Sequence, residues 1–103
     1  MKQELKREDV LRYLRRNRER LRQTYRIRRI ALIGSFARNE QRPLSDLDLL
    51  VDIEKGTPGI HQIKQGLRTE LEGMFGRRVE IVSERYLKPY YREEVLREAV
   101  YVE

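Results

Sequence analysis

Cysteine and tryptophan are absent from this chain, and histidine occurs once in its 103 residues. Without cysteine there is no disulfide framework and no thiolate metal site. The lone His61 has no companion ligand in sequence and reads as a surface residue of a helix. No apolar run approaches the about 18 residues that a spanning helix needs. The N-terminal MKQELKRED lacks the apolar stretch of a signal peptide. A cytoplasmic location and no membrane partner are therefore expected. Linkers, repeats and low-complexity segments are also missing, so residues 1–103 are read as one domain.

What the chain has in abundance is charge. Charged residues make up 39% of it, equal to the hydrophobic share, and the net charge is +6. The excess is uneven: residues 1–30 hold 12 Lys or Arg against 4 Asp or Glu, whereas residues 31–103 hold 11 against 13. The basic N-terminal segment is either a solvated helix face or a docking surface for an acidic or phosphate-bearing partner.

Periodicity gives the coarse fold. Val10, Leu11, Leu14, Leu21 and Tyr25 form one apolar stripe and predict a helix over about 7–24. IRRIALI, residues 27–33, predicts a strand that stops at Gly34. Leu47, Leu49, Val51 and Ile53 alternate over residues 46–54 and predict a second strand with one apolar face. Thr57-Pro58 is a helix-start signal. Ile60, Ile63, Leu67, Leu71 and Met74 carry that helix to a stop at Gly76. Residues 78–83 predict a third strand. Pro89 opens a last helix with Val95, Leu96, Ala99 and Val100 as its apolar face. Alternating strands and helices indicate an α/β architecture (α+β by some conventions): a small mixed sheet of about three core strands with helices packed on it.

The chemistry is concentrated in ALIGSFARNEQRPLSDLDLLVDI. Asp46 and Asp48 stand two apart on a strand and project to the same side, away from its apolar face. Two carboxylates so placed repel; at about 4 Å and an effective dielectric near 20 the cost is roughly 4 kcal/mol. A divalent cation between them converts that cost into binding. Oxygen ligands of this kind suit Mg²⁺ or Mn²⁺. An Asp-x-Asp pair alone is weak evidence, since most are solvated strand residues. Here it follows a Gly-Ser turn after a buried-type strand. Gly34 allows close backbone approach, Ser35 offers a hydroxyl, and the amides beyond it can face phosphate oxygens.

Gly34-Ser35, Ala37-Arg38 and Ser45-Asp46-x-Asp48-Leu49-Leu50-Val51 together resemble the signature of the minimal nucleotidyltransferases, in the DNA polymerase β-like superfamily. The resemblance implies a nucleotidyltransferase fold over most of the chain. It implies two Mg²⁺ ions (Mn²⁺ as a substitute) and transfer of NMP from ATP or another NTP to a hydroxyl. It also implies a third carboxylate on the next strand. The matching residue is Glu80, one methylene longer than the family's usual Asp. Alternation sets Glu80 opposite Val79 and Ile81, so Asp46, Asp48 and Glu80 are the expected catalytic and metal-binding set. Gly34 and Ser35, with Arg38 and Arg42, are the expected nucleotide-binding residues. Asn39 replaces a glycine common in the family; Asn tolerates positive φ better than most residues, so the turn is expected to survive.

Proteins of this kind are commonly antitoxins that add AMP to a tyrosine of a HEPN-domain toxin, which makes such a toxin the expected partner. The competing reading is a binding module that silences its partner by contact alone. Specific nucleic-acid binding is not expected, because no aromatic residues interleave the N-terminal arginines as a stacking platform would require. Tyr86, Tyr90, Tyr91 and Tyr101 are expected to pack the last helix or to border the partner surface. Asp52 shares a face with Asp48 but lies roughly 13 Å along the strand, outside the site.

Overall fold

A computed structural model describes residues 4–102. Helix α1 (Arg7–Arg16) and helix α2 (Arg18–Tyr25) are followed by β1 (Ile27–Ile33), the single-turn α3 (Gly34–Ala37) and β2 (Leu47–Ile53). Then come α4 (Ile60–Phe75), β3 (Val79–Ser83), a 3-10 turn (Glu84–Tyr86), α5 (Pro89–Glu98) and β4 (Val100–Tyr101). The strands form one mixed sheet in the order β3-β2-β1-β4. β1 runs antiparallel to β2 and to β4, while β2 and β3 are parallel. Parallel neighbours need a crossover, and α4 supplies it.

Both faces of the sheet are covered. On one, Val10, Leu11, Leu14, Leu21, Leu67 and Leu71 of the first, second and fourth helices bury Ile30, Leu32, Leu47, Leu49, Val51 and Val79. On the other, α5 covers Ala31, Ile33 and Leu50 with Val95, Leu96 and the flanking Leu87. Leu50 is therefore as buried as its neighbours, and β2 has two apolar faces along its middle. Its polar residues are confined to the ends.

Four details depart from the sequence expectation. The predicted 7–24 helix is broken at Asn17 (φ −105°, ψ 10°), whose side-chain amide donates to the Tyr13 carbonyl at 2.9 Å. Asn competes for backbone groups in this way, which disfavours it inside helices. Thr57 does not cap α4: its hydroxyl donates to the Glu54 carbonyl at 2.6 Å, and Gly59 (φ +70°) precedes the first helical residue. Met74 faces solvent and Phe75 takes the inward position, edge-on to Tyr13 at 5.4 Å between ring centroids. Val100 leaves the last helix and pairs with Leu32 in a short fourth strand. The other boundaries fall within a residue of those expected, with Gly76 (φ +63°) ending α4 and Pro89 opening α5.

One carboxylate ties the basic helices to the rest. Glu70 of α4 accepts hydrogen bonds from the hydroxyls of Tyr13 and Tyr25, both at 2.8 Å, and from both terminal nitrogens of Arg20. Arg20 first, then Tyr25 and Tyr13, hold its pKa below the ordinary Glu value, against the opposing effect of burial.

Replacing Glu70 by Ala leaves two half-buried hydroxyls without an acceptor and is expected to cost about 1–3 kcal/mol in urea denaturation. The depressed pKa makes this stabilisation complete above the unfolded value of 4.5, and it is lost as pH falls through the lower folded value. The stability gap between wild type and E70Q should therefore close in acid.

Candidate active site

The site forms where β1 ends and β2 begins, at one edge of the sheet's helical cover. Antiparallel register sets Ile33 opposite Asp48, and parallel register sets Glu80 beside Asp48 on the other flank. The residue after Ile33 is Gly34, with φ +73°. A Cβ at Gly34 would lie 2.5 Å from Asp48 Oδ2. Only glycine permits both the left-handed backbone and the carboxylate packed against it.

Asp48 is half-buried, while Asp46 and Glu80 are exposed. Burial pushes the Asp48 pKa up to about 6, and the charges of Glu80, Asp46 and Glu98 add to the shift against a smaller opposing effect of Arg38. The candidate carboxylates thus act on one another electrostatically. Among the described residues, however, no three acidic or imidazole side chains form a ready-made ligand group for one ion. The Glu80 side chain makes no hydrogen bond among the described residues and also borders a hollow of about 220 Å³ with His61, Lys64 and Arg68 of α4. The donor set still suits a small divalent cation: Mg²⁺ usually takes one or two carboxylates and fills its shell with water and phosphate oxygens.

The loop between α3 and β2 is held from several directions. The Glu40 amide donates to the Ser35 carbonyl at 2.8 Å, and Asn39 takes the positive φ (+59°) expected of it. Ser45 Oγ accepts the Arg42 amide at 2.7 Å. The Arg42 side chain is exposed and forms no ion pair with the carboxylates among the described residues.

Two contacts at the candidate site have no signature in the sequence. Arg77 lies over the Phe36 ring at 5.1 Å and donates to the Ser45 carbonyl at 3.2 Å. It joins the glycine turn to the Asp46 approach. Glu98, the last residue of α5, accepts the Gly34 amide at 3.2 Å and Arg38 Nη1 at 3.0 Å. A fourth carboxylate therefore occupies two of the donors expected to meet phosphate. The Arg-Glu-Ala-Val stretch looks like an amphipathic helix end, and nothing in its spacing points to position 34.

Residues 14–102 match the nucleotidyltransferase domain family. A protein adenylyltransferase, MntA, of Thermococcus cleftensis is 36% identical over 95 residues, covering 92% of this chain and 94% of the relative. A solved chain described as a minimal nucleotidyltransferase is 44% identical, with a TM-score of 0.76 and coverage of 93% and 95%. A toxin–antitoxin structure with AMP-PNP is similar in fold (TM-score 0.67, 20% identity), covering 96% of this chain and 73% of that one.

Carbon-detected NMR of the metal-free protein should show Asp48 titrating near 6, with E80Q, D46N and E98Q each lowering it. A raised carboxylate pKa means the folded state binds the proton more tightly. Asp48 therefore opposes folding above that pH, and the penalty fades as pH falls to the ordinary Asp value. D48N should accordingly raise the metal-free Tm at neutral pH and not in acid. Gly34→Ala should cost at least about 1 kcal/mol from backbone strain alone and displace the Asp48 carboxylate.

Proposed function

The chain belongs to the nucleotidyltransferase domain family, and we propose that it is an antitoxin-type minimal nucleotidyltransferase that transfers AMP from ATP to a tyrosine of a HEPN-domain toxin. The carrying observation is the Asp48 carboxylate packed on Gly34, with Glu80 in register beside it. That arrangement puts metal-type ligands next to a turn suited to phosphate. The adenylyltransferase relative and the AMP-PNP-bound toxin–antitoxin neighbour support the choice of nucleotide and partner.

Asp46, Asp48 and Glu80 would hold the divalent ions, Mg²⁺ or Mn²⁺. When bound, such ions neutralise triphosphate charge and lower the pKa of an attacking hydroxyl. Gly34 and Ser35 receive the β- and γ-phosphates at the turn. Arg38 exchanges Glu98 for the departing pyrophosphate, and Arg42, free on the loop, closes over the same group. The acceptor oxygen attacks the α-phosphorus in line and forms the new P–O bond as the bond to the β-phosphate oxygen breaks. The hydroxyl proton passes to a carboxylate oxygen, a role assigned in this reading to Glu80. The work is positioning and charge neutralisation.

A contact-only antitoxin is the second reading. The exposed Glu80, with no side-chain hydrogen bond to aim it, and the lack of a preformed three-ligand group, both among the described residues, favour it.

Incubation with Mg²⁺, radiolabelled ATP and the toxin partner separates the two. Transfer is expected, with D46N/D48N reducing it by at least about 10²–10³-fold without loss of fold. Toxin inhibition that persists without ATP and in D46N/D48N, with no label on the toxin, would decide for contact alone.

A further inference from the structure

Among the described residues, several guanidiniums are engaged. Arg20 is on Glu70, Arg29 on Glu84, Arg38 on Glu40 and Glu98, and Arg85 and Arg92 are on backbone carbonyls. Arg22, Arg26, Arg28 and Lys55 form no ion pair among the described residues, yet they converge. Together with Ile27 and Glu54 they line a hollow of about 430 Å³. They come from four places: the last turn of α2, the residue joining it to β1, the second residue of β1, and the turn after β2. The Glu54 amide donates to the Arg26 carbonyl at 2.8 Å, which fixes the two loops relative to one another.

Position 26 carries independent weight. Its backbone is left-handed (φ +58°), a conformation that costs a β-carbon-bearing residue free energy and that glycine adopts freely. An arginine stands there, so the strained turn carries a cationic residue at the hollow's lining. Among the described residues, four cationic residues and one acidic residue, Glu54, line the hollow. The mutual repulsion of the cations in a concave site is relieved by a bound anion. The hollow lies at the Ile27–Ile53 end of the β1–β2 pair, whereas Asp48 pairs with Ile33 at the other end. That is roughly 17 Å along the strand.

We propose that this hollow is a binding site for a compact polyphosphate, such as the phosphate chain of a nucleotide or free tripolyphosphate. Charge density selects this class. Acidic side chains on one face of an extended peptide are about 6.5–7 Å apart, too sparse for several cations around a small hollow, whereas consecutive phosphates concentrate charge. Arginine forks match phosphate oxygens in pairs. No aromatic side chain lines the hollow to stack a base of single-stranded nucleic acid, and its volume falls in the small-ligand range. The site does not depend on the transferase reading.

The test titrates tripolyphosphate into the wild-type chain without Mg²⁺ at physiological salt, read by amide NMR. Saturable one-to-one binding is expected, with shifts centred on Arg22, Arg26, Ile27, Arg28 and Lys55. R22A/R28A should weaken it by at least about tenfold. R26G should also weaken it while folding at least as well, because it removes a charge and relieves the positive φ. ATP binding there as tightly as tripolyphosphate would assign the ligand to nucleotides; weaker ATP binding would assign it to free polyphosphate. Shifts confined to Gly34–Arg38, absence of saturation, or tighter binding of duplex RNA or a glutamate-rich peptide would overturn the proposal. D46N/D48N should leave this binding intact and R22A/R28A should leave label transfer intact, so failure of either function is separable from the other.

Discussion

Position 34 has no Cβ, and the carboxylate of Asp48 fills the space where one would be. Much of the site's architecture follows from that single close approach. It requires β1 to end opposite Asp48, so that the turn leaves the sheet beside the acid. It requires the left-handed backbone that only glycine adopts without strain. It also drives Asp48 partly out of water, which raises its pKa before any neighbouring charge is counted. Parallel pairing then brings Glu80 alongside. In the proposed reaction, a divalent cation between these carboxylates relieves their repulsion.

Charge is organised around that contact. Acids gather where β2 begins, and the described cations that lack acid partners include a group where it ends. Between them, Glu70 and Glu84 each collect several donors. Glu84 accepts Arg29 at 2.6 Å and Tyr101 at 2.7 Å, and its own carbonyl accepts Arg92 at 2.8 Å. This fastens β4 and α5 to β1. Because α5 is fastened, its last residue Glu98 is delivered to the Gly34 amide. The same carboxylate completes the turn, and in the proposed reaction it must yield if phosphate is to take those donors.

The Gly34–Asp48 half of the candidate site was legible because its logic is local. Strand alternation sets Asp46 apart from the apolar face, and Gly-Ser after a branched apolar run marks a turn at a strand's end. Glu80 needed one further step, the assumption that the third strand lies beside the second in parallel. Contacts with no local signature were not legible. Glu98 meets Gly34 across 64 residues of chain, and Arg77 reaches Ser45 across 32. The break at Asn17 and the transfer of Val100 into the sheet were missed for a related reason: helix periodicity continues through both, and backbone hydrogen bonds decide otherwise.

Sequence alone determined the elements, the faces they bury and the family-like constellation of glycine, serine and two aspartates, since each depends on spacings of a few residues. Tertiary structure decided which acids share a field with Asp48 and which cations remain unneutralised. It also decided that a fourth carboxylate stands at the Gly34 turn. Those outcomes depend on strand order and on where helix ends fall, and they are fixed by how the two apolar faces of the sheet are covered, a property of the whole chain that no short window encodes.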